Sequence, residues 1–190
     1  DGTGDFTFSR GSNTSATRVN ADGYIEKGYE NLLEQSNSFL TNPWRLPVGT
    51  DITSNHSGYD GTNDAWLLSK TDSSKYLTQS AIINGLHTFS FYAKAGDSNF
   101  IWIKFYNVGE AVTFDLQNGI TLGLTNAIDA KIELVSGTTD WYRCSITANF
   151  NSTFFRIFPA EGNAVISGTS GSIYIQDAML NQGLVAYPYI

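Results

Sequence analysis

The sequence is dominated by short runs rich in Phe, Tyr, Ile, Val and Thr, each closed by a cluster of Gly, Asn, Asp or Ser. They read "DFTFSR", "TRVNADGYIEKG", "AWLLSKT", "KYLTQSAII", "HTFSFYAKA", "FIWIKFYNV", "AVTFDL", "AKIELV", "WYRCSITANF", "FFRIFPA" and "SIYIQDAML". The runs recur roughly every ten residues, the spacing of strands and turns in an all-β domain. No stretch shows the three-and-four apolar spacing of a convincing amphipathic helix. "YENLLEQSNSFL" has room for a turn or two of helix, but its Asn and Ser side chains compete with the helical backbone. The pattern therefore predicts an all-β chain, an antiparallel sandwich or barrel.

A chain of 190 residues, 41% of them hydrophobic, suffices for one well-buried domain and excludes a disordered one. The first 30 residues differ: "RGSNTSATR" offers few large apolar groups, so residues 1–30 read as an extended lead-in lying along the body, 31–190, or along a neighbouring subunit. Only 15% of residues are charged, which leaves a surface of Ser, Thr, Asn and Gly, typical of extracellular or virion proteins. A net charge of -7 opposes nucleic-acid binding, which draws on clustered cations. No 18-residue apolar run predicts membrane insertion, and "DGTGDFTFSR" lacks the basic-then-apolar plan of a signal peptide. The single cysteine, Cys144, forms no intrachain disulfide and alternates with apolar residues, as a core thiol does.

Alternate side chains of a strand face opposite ways. In "TFSFYAKA" this sends Phe89, Phe91 and Ala93 inward and Tyr92 and Lys94 outward. In "FIWIKFY" Ile101, Ile103 and Phe105 go in, while Trp102, Lys104 and Tyr106 go out. In "WYRCSITA" Tyr142, Cys144, Ile146 and Ala148 go in, leaving Trp141 and Arg143 outside. If these strands are neighbours in one sheet, Tyr92, Lys94, Trp102, Lys104, Tyr106 and Arg143 make a single face of flat rings and long donors. Such a face complements a sugar, whose C–H surface stacks on rings and whose hydroxyls accept hydrogen bonds. The cations favour acidic glycans. The same outward rings would equally suit cover by the N-terminal segment or by a subunit partner. Trp44, Tyr59 and Trp66 form a second candidate cluster on loops.

Catalytic chemistry finds little support. His56 and His87 lack a second ligand at metal spacing. The carboxylate pairs Glu110 with Asp115 and Glu133 with Asp140 sit in strand-to-turn contexts where solvated carboxylates are routine, so no glycosidase pair is assigned. "YDGTNDAW", with Asp60 and Asp64, reads as Asx-turn chemistry. The expectation is a protein that is not an enzyme.

"NLLEQSNSFLTNPW", "HTFSFYAKAGD", "DWYRCSITANF" and "GSIYIQDAML", in that order, resemble jelly-roll carbohydrate-binding modules of the group containing families four, nine and twenty-two. "FTFSRGSNTSATRVNADGYIE" resembles the lead-in of bacteriophage tail-fibre and head-fibre proteins that carry this domain, with "KGYE" in place of their longer insert. The resemblance implies a jelly-roll β-sandwich of two antiparallel sheets and a non-catalytic module contacting a surface polysaccharide, on a virion surface or extracellular. It also implies two alternatives. One is a structural module forming a homotrimer or binding other virion proteins; the other is a sugar-targeting appendage of a polysaccharide-degrading enzyme. Modules of this group often hold a structural calcium (Ca2+), and Asp177 matches its last-strand position. Asn37, Ser38 and Leu40 stand where the family offers acids, so calcium would have to draw on Glu34 and backbone carbonyls. No cofactor is therefore expected to be required.

Overall fold

The computed structural model describes residues 17–19, 23, 25–28 and 30–190, and every regular element among them is a strand. The predicted strand "DFTFSR" lies outside the described residues. Asn31–Tyr189 form one compact unit. The other contains β1 (Thr17–Val19) and β2 (Ile25–Lys27), which pair antiparallel.

The larger unit contains β3 (Trp44–Arg45), β4 (Thr50–His56), β5 (Ala65–Lys70), β6 (Leu77–Ala95) and β7 (Phe100–Asn107). It continues with β8 (Ala111–Asp115), β9 (Ile120–Thr125), β10 (Asp129–Leu134), β11 (Tyr142–Ala160) and β12 (Gly171–Gln182). Together they make a ten-stranded antiparallel sheet that folds over on itself into a sandwich. β6 and β11, nineteen residues each, pair with one another almost end to end and belong to both layers. Their Thr88–Ala93 and Tyr142–Thr147 halves join β12, β5, β4 and β10 in the first layer. The Leu77–Ile83 and Ser152–Ala160 halves join β3, β7, β8 and β9 in the second.

Ring contacts show that the layers meet face to face. Phe89 of the first layer packs on Phe155 and Phe105 of the second, at 4.8 and 5.7 Å between centroids, and Phe91 packs on Phe114. Each of these rings is buried. A buried Phe contributes about 1.5–3 kcal/mol through burial, and this aromatic seam therefore carries much of the fold. Cys144 is buried with them, and removal from water pushes its thiol pKa up, as suits an inert core thiol.

The structure merges runs that the sequence separates. "KYLTQSAII" and "HTFSFYAKA" are halves of β6, joined through Gly85, whose φ of +93° any side chain would strain. "WYRCSITANF" and "FFRIFPA" are halves of β11, joined by a bulge between Ser152 and Phe154. The bulge shifts parity by one, and that is why both Phe150 and Phe155 reach the core. β3, β4 and β9 were not predicted as strands. The turn-like "YENLLEQSNSFL" forms turns and no helix among the described residues.

Candidate functional site

The expected single face does not form. Tyr92, Lys94 and Arg143 lie in the first layer and Trp102, Lys104 and Tyr106 in the second. Because the aromatic seam holds the inner faces together, these outward sets look in opposite directions.

In the first layer the chain covers its own rings. Tyr59 stacks on Tyr92 with centroids 3.6 Å apart and planes 10° from parallel. The loop carrying Tyr59 is pinned to β12: Tyr59 N–H donates to Gln176 Oε1, and Gln176 Nε2 donates to Asp64 Oδ1 at 2.6 Å. Gly58 leaves room for this contact, since a Cβ would stand 2.3 Å from Gln176 Oε1 and push that side-chain amide away. Thr62 N–H donates to Asp60, the anticipated Asx turn. Arg143 packs over Tyr92 and donates to the carbonyl of Tyr187. Lys94 lies over Trp141 and Tyr174 and 3.8 Å from Asp140. Trp141, expected outside, is buried beneath this cover, while Tyr142, expected inside, is half-buried and packs against the core.

Asp177 sits at the bulge of β12 with φ +53°. Its carboxylate accepts the Tyr59 hydroxyl at 2.9 Å, and its N–H donates to Asn37 Oδ1. Burial raises its pKa to about 6 against the opposing Tyr59 bond, with Asp64 and Asp60 adding to the rise. Burial and the bond to Asp177 push the Tyr59 hydroxyl upward as well. The residues present do not fit calcium at Asp177 and Glu34. Glu34 is exposed with its carbonyl already accepting from Gln79, and Asp177 is engaged by Tyr59. No group of three or more His, Cys, Asp or Glu side chains able to hold a metal ion occurs among the described residues.

Trp44 and Trp66 are likewise corrected. Trp44 is buried against Phe39 and Phe155, and half-buried Trp66 also packs on Phe39. Their indole N–H groups donate to the carbonyls of Gln35 and Asn37. The presumed solvated carboxylates Glu110 and Asp115 are both buried. Asp115 caps the following turn by accepting from the N–H groups of Gln117 and Asn118.

The second layer presents an open ring-and-cation row. Ile101, Ile103 and Phe105 are buried, while Trp102, Lys104 and Tyr106 stand half-buried on the outer side of β7. β11 adds half-buried Phe154 and Arg156 beside them, while Phe158 is buried against Trp102 and against Tyr76, which precedes β6. Tyr106 stacks on Phe154 at 4.4 Å, and Trp102 packs on Phe158 at 5.0 Å. The Arg156 guanidinium lies 4.0 Å from the Tyr76 ring centroid and 4.7 Å from that of Tyr106, and it donates to the Tyr106 hydroxyl. Lys104 lies over Trp102 and Tyr106 at 5.6 and 5.2 Å. Parity within "FFRIFPA" would have found Phe154 and Arg156 as outward partners. What was missing was the register placing them beside β7.

No family model matches the sequence, and no curated protein does. Solved structures are similar at low identity. One is TmCBM61 in complex with β-1,4-galactotriose, 14% identical, covering 81% of this chain and 99% of that one with a TM-score of 0.44. Another is the CBM22-1 xylan-binding domain from Paenibacillus barcinonensis Xyn10C, 13% identical, covering 85% and 99% with a TM-score of 0.46. A third is the enzymatically active domain of bacteriophage CBA120 tailspike protein 4, 14% identical, covering 80% of this chain and 21% of that one with a TM-score of 0.44. Among the described residues no helix is long and apolar enough to cross a membrane.

Proposed function

We propose that this protein is a non-catalytic saccharide-binding module, displayed on a virion fibre, that meets its ligand through the outer face of β7 and β11. The observation that carries the reading is the open row of Trp102, Tyr106, Phe154 and Tyr76 with Lys104 and Arg156 among them. Its rings offer stacking surface and its cations fixed donors, on rigid strands that need no rearrangement. The virion setting is supported by the resemblance of the lead-in alone. The same face would serve in an appendage of a polysaccharide-degrading enzyme.

Titration of the protein against a panel of soluble polysaccharides, followed by tryptophan fluorescence and calorimetry, tests the reading. Binding by the native protein is expected, weakened about tenfold by Trp102→Ala, the loss of roughly 1.4 kcal/mol of stacking. Absence of binding across the panel, or binding indifferent to Trp102→Ala, overturns it.

A second reading, a structural module that packs on copies of itself as a homotrimer or on other virion proteins, draws on a different observation. Ile120, Leu124, Ile128 and Leu134, on β9, β10 and the link between them, are each 45–57% exposed. Light scattering separates the two: a stable monomer across the micromolar range counts against the second reading.

A further inference from the structure

Lys104 and Arg156 are paired residues of adjacent antiparallel strands, directly opposite in register and on the same outward face. Side chains so placed have Cβ atoms about 4.5–5.5 Å apart, and like charges there repel. A protein of net charge -7 has carboxylates to spare, yet none lies within 4.0 Å of either cation among the described residues. Rings hold both cations instead. Tyr76, Tyr106 and Phe154 surround the Arg156 guanidinium, and Trp102 and Tyr106 lie beneath the Lys104 ammonium. The Arg156 Nε is buried with no hydrogen-bond partner, although Nη1 is committed to Tyr106. The two cations therefore stand on directly opposed residues with no carboxylate within 4.0 Å among the described residues, and Arg156 Nε has no acceptor.

The geometry points to an anion subsite between Lys104 and Arg156 that takes the carboxylate of an acidic sugar residue, so that the saccharide bound by this face is a uronate polymer rather than a neutral one. This rests on the saccharide-binding reading above. A carboxylate bridging the pair would replace repulsion by two charge-assisted contacts, while the pyranose ring of the same residue lies against Trp102 or Tyr106. Lys94 and Arg143, the other cations singled out in the sequence, take no part. Lys94 has Asp140 for a partner, and Arg143, although its Nε is buried without a partner as that of Arg156 is, stands in the other layer with no cation paired opposite it, since its register partners are Tyr92 and Glu133.

The test compares oligogalacturonate with a neutral galacto-oligosaccharide of equal length by calorimetry on the full chain, with polyglutamate as a polyanion that is not a sugar. The native protein is expected to bind oligogalacturonate at least tenfold more tightly than the neutral oligomer and to lose that preference as salt rises. Lys104→Gln and Arg156→Gln should each lower oligogalacturonate affinity more than neutral affinity and so remove most of the preference, whereas Lys131→Gln, on exposed β10, leaves the preference unchanged. Arg156 is packed among three rings, so Lys104→Gln carries the test if Arg156→Gln melts early. Equal affinity for charged and neutral oligomers overturns the anion subsite and leaves the saccharide reading standing. Polyglutamate binding as tightly as oligogalacturonate also overturns it, because a bare polyanion would then suffice. Binding of neither oligomer overturns the uronate subsite, and the polysaccharide panel above then decides the saccharide reading.

Discussion

At the scale of single residues, burial and partners decide roles that composition leaves open. Asp177 is the clearest case, held at a positive φ in a bulge with its carboxylate beneath the Tyr59 loop. Its pKa is 3.8 in the reference state and about 6 when folded, so the folded protein holds this proton more tightly than the unfolded chain. The associated stability is fully present below about pH 4 and is lost as pH rises through about 6. Asp177→Asn keeps an acceptor for Tyr59 and tolerates the left-handed backbone. The variant is expected to gain on the native protein in melting temperature between pH 4 and 7. A constant difference across that range would contradict the assigned shift. Parity along a strand made Cys144, Phe89 and Ile103 legible as core residues, since facing is a local property of an extended backbone. Trp141 was not legible, because what buries it is a loop more than 75 residues earlier in the chain.

At the scale of elements, the decisive features are two strands long enough to serve both layers. Gly85 lets β6 pass from one layer to the other at φ +93°, with open space where a Cβ would stand. Gly85→Ala meets no clash, so its cost is backbone strain alone, about 1–2 kcal/mol, read as a shift in urea midpoint. A change below 0.5 kcal/mol would show that the bend does not need this conformation. Read from sequence, Gly85 and the Asn151–Ser152 region look like strand terminators, because Gly and Asn punctuate loops far more often than they bend continuous strands. That is why two long strands read as four short ones. Of the missed strands, β3 has two residues, β4 is polar and β9 is interrupted by Gly123 at φ +58°, so their pairing partners, more than their own side chains, make them strands.

At the scale of the molecule, the opposed faces differ in how they are covered. The first-layer face is a self-covered assembly of Tyr59, Tyr92, Trp141 and Arg143, and the second-layer face is the open one. Tyr92→Leu should lose the Tyr59 stack, costing about 0.5–1.5 kcal/mol of stability, and leave saccharide affinity unchanged, the reverse of Trp102→Ala. Thermal melting and titration of the same two proteins check both halves. A fall in affinity in Tyr92→Leu at intact folding would mean that the faces are coupled. From its alternating runs the sequence alone settled an all-β chain and the core-facing side of "TFSFYAKA" and "FIWIKFY", since both follow from a two-residue period and local turn chemistry. Only the tertiary structure decided which outward rings share a surface. That depends on register between strands far apart in the chain, on one-residue bulges that reverse facing, and on which loops fold back to cover a sheet.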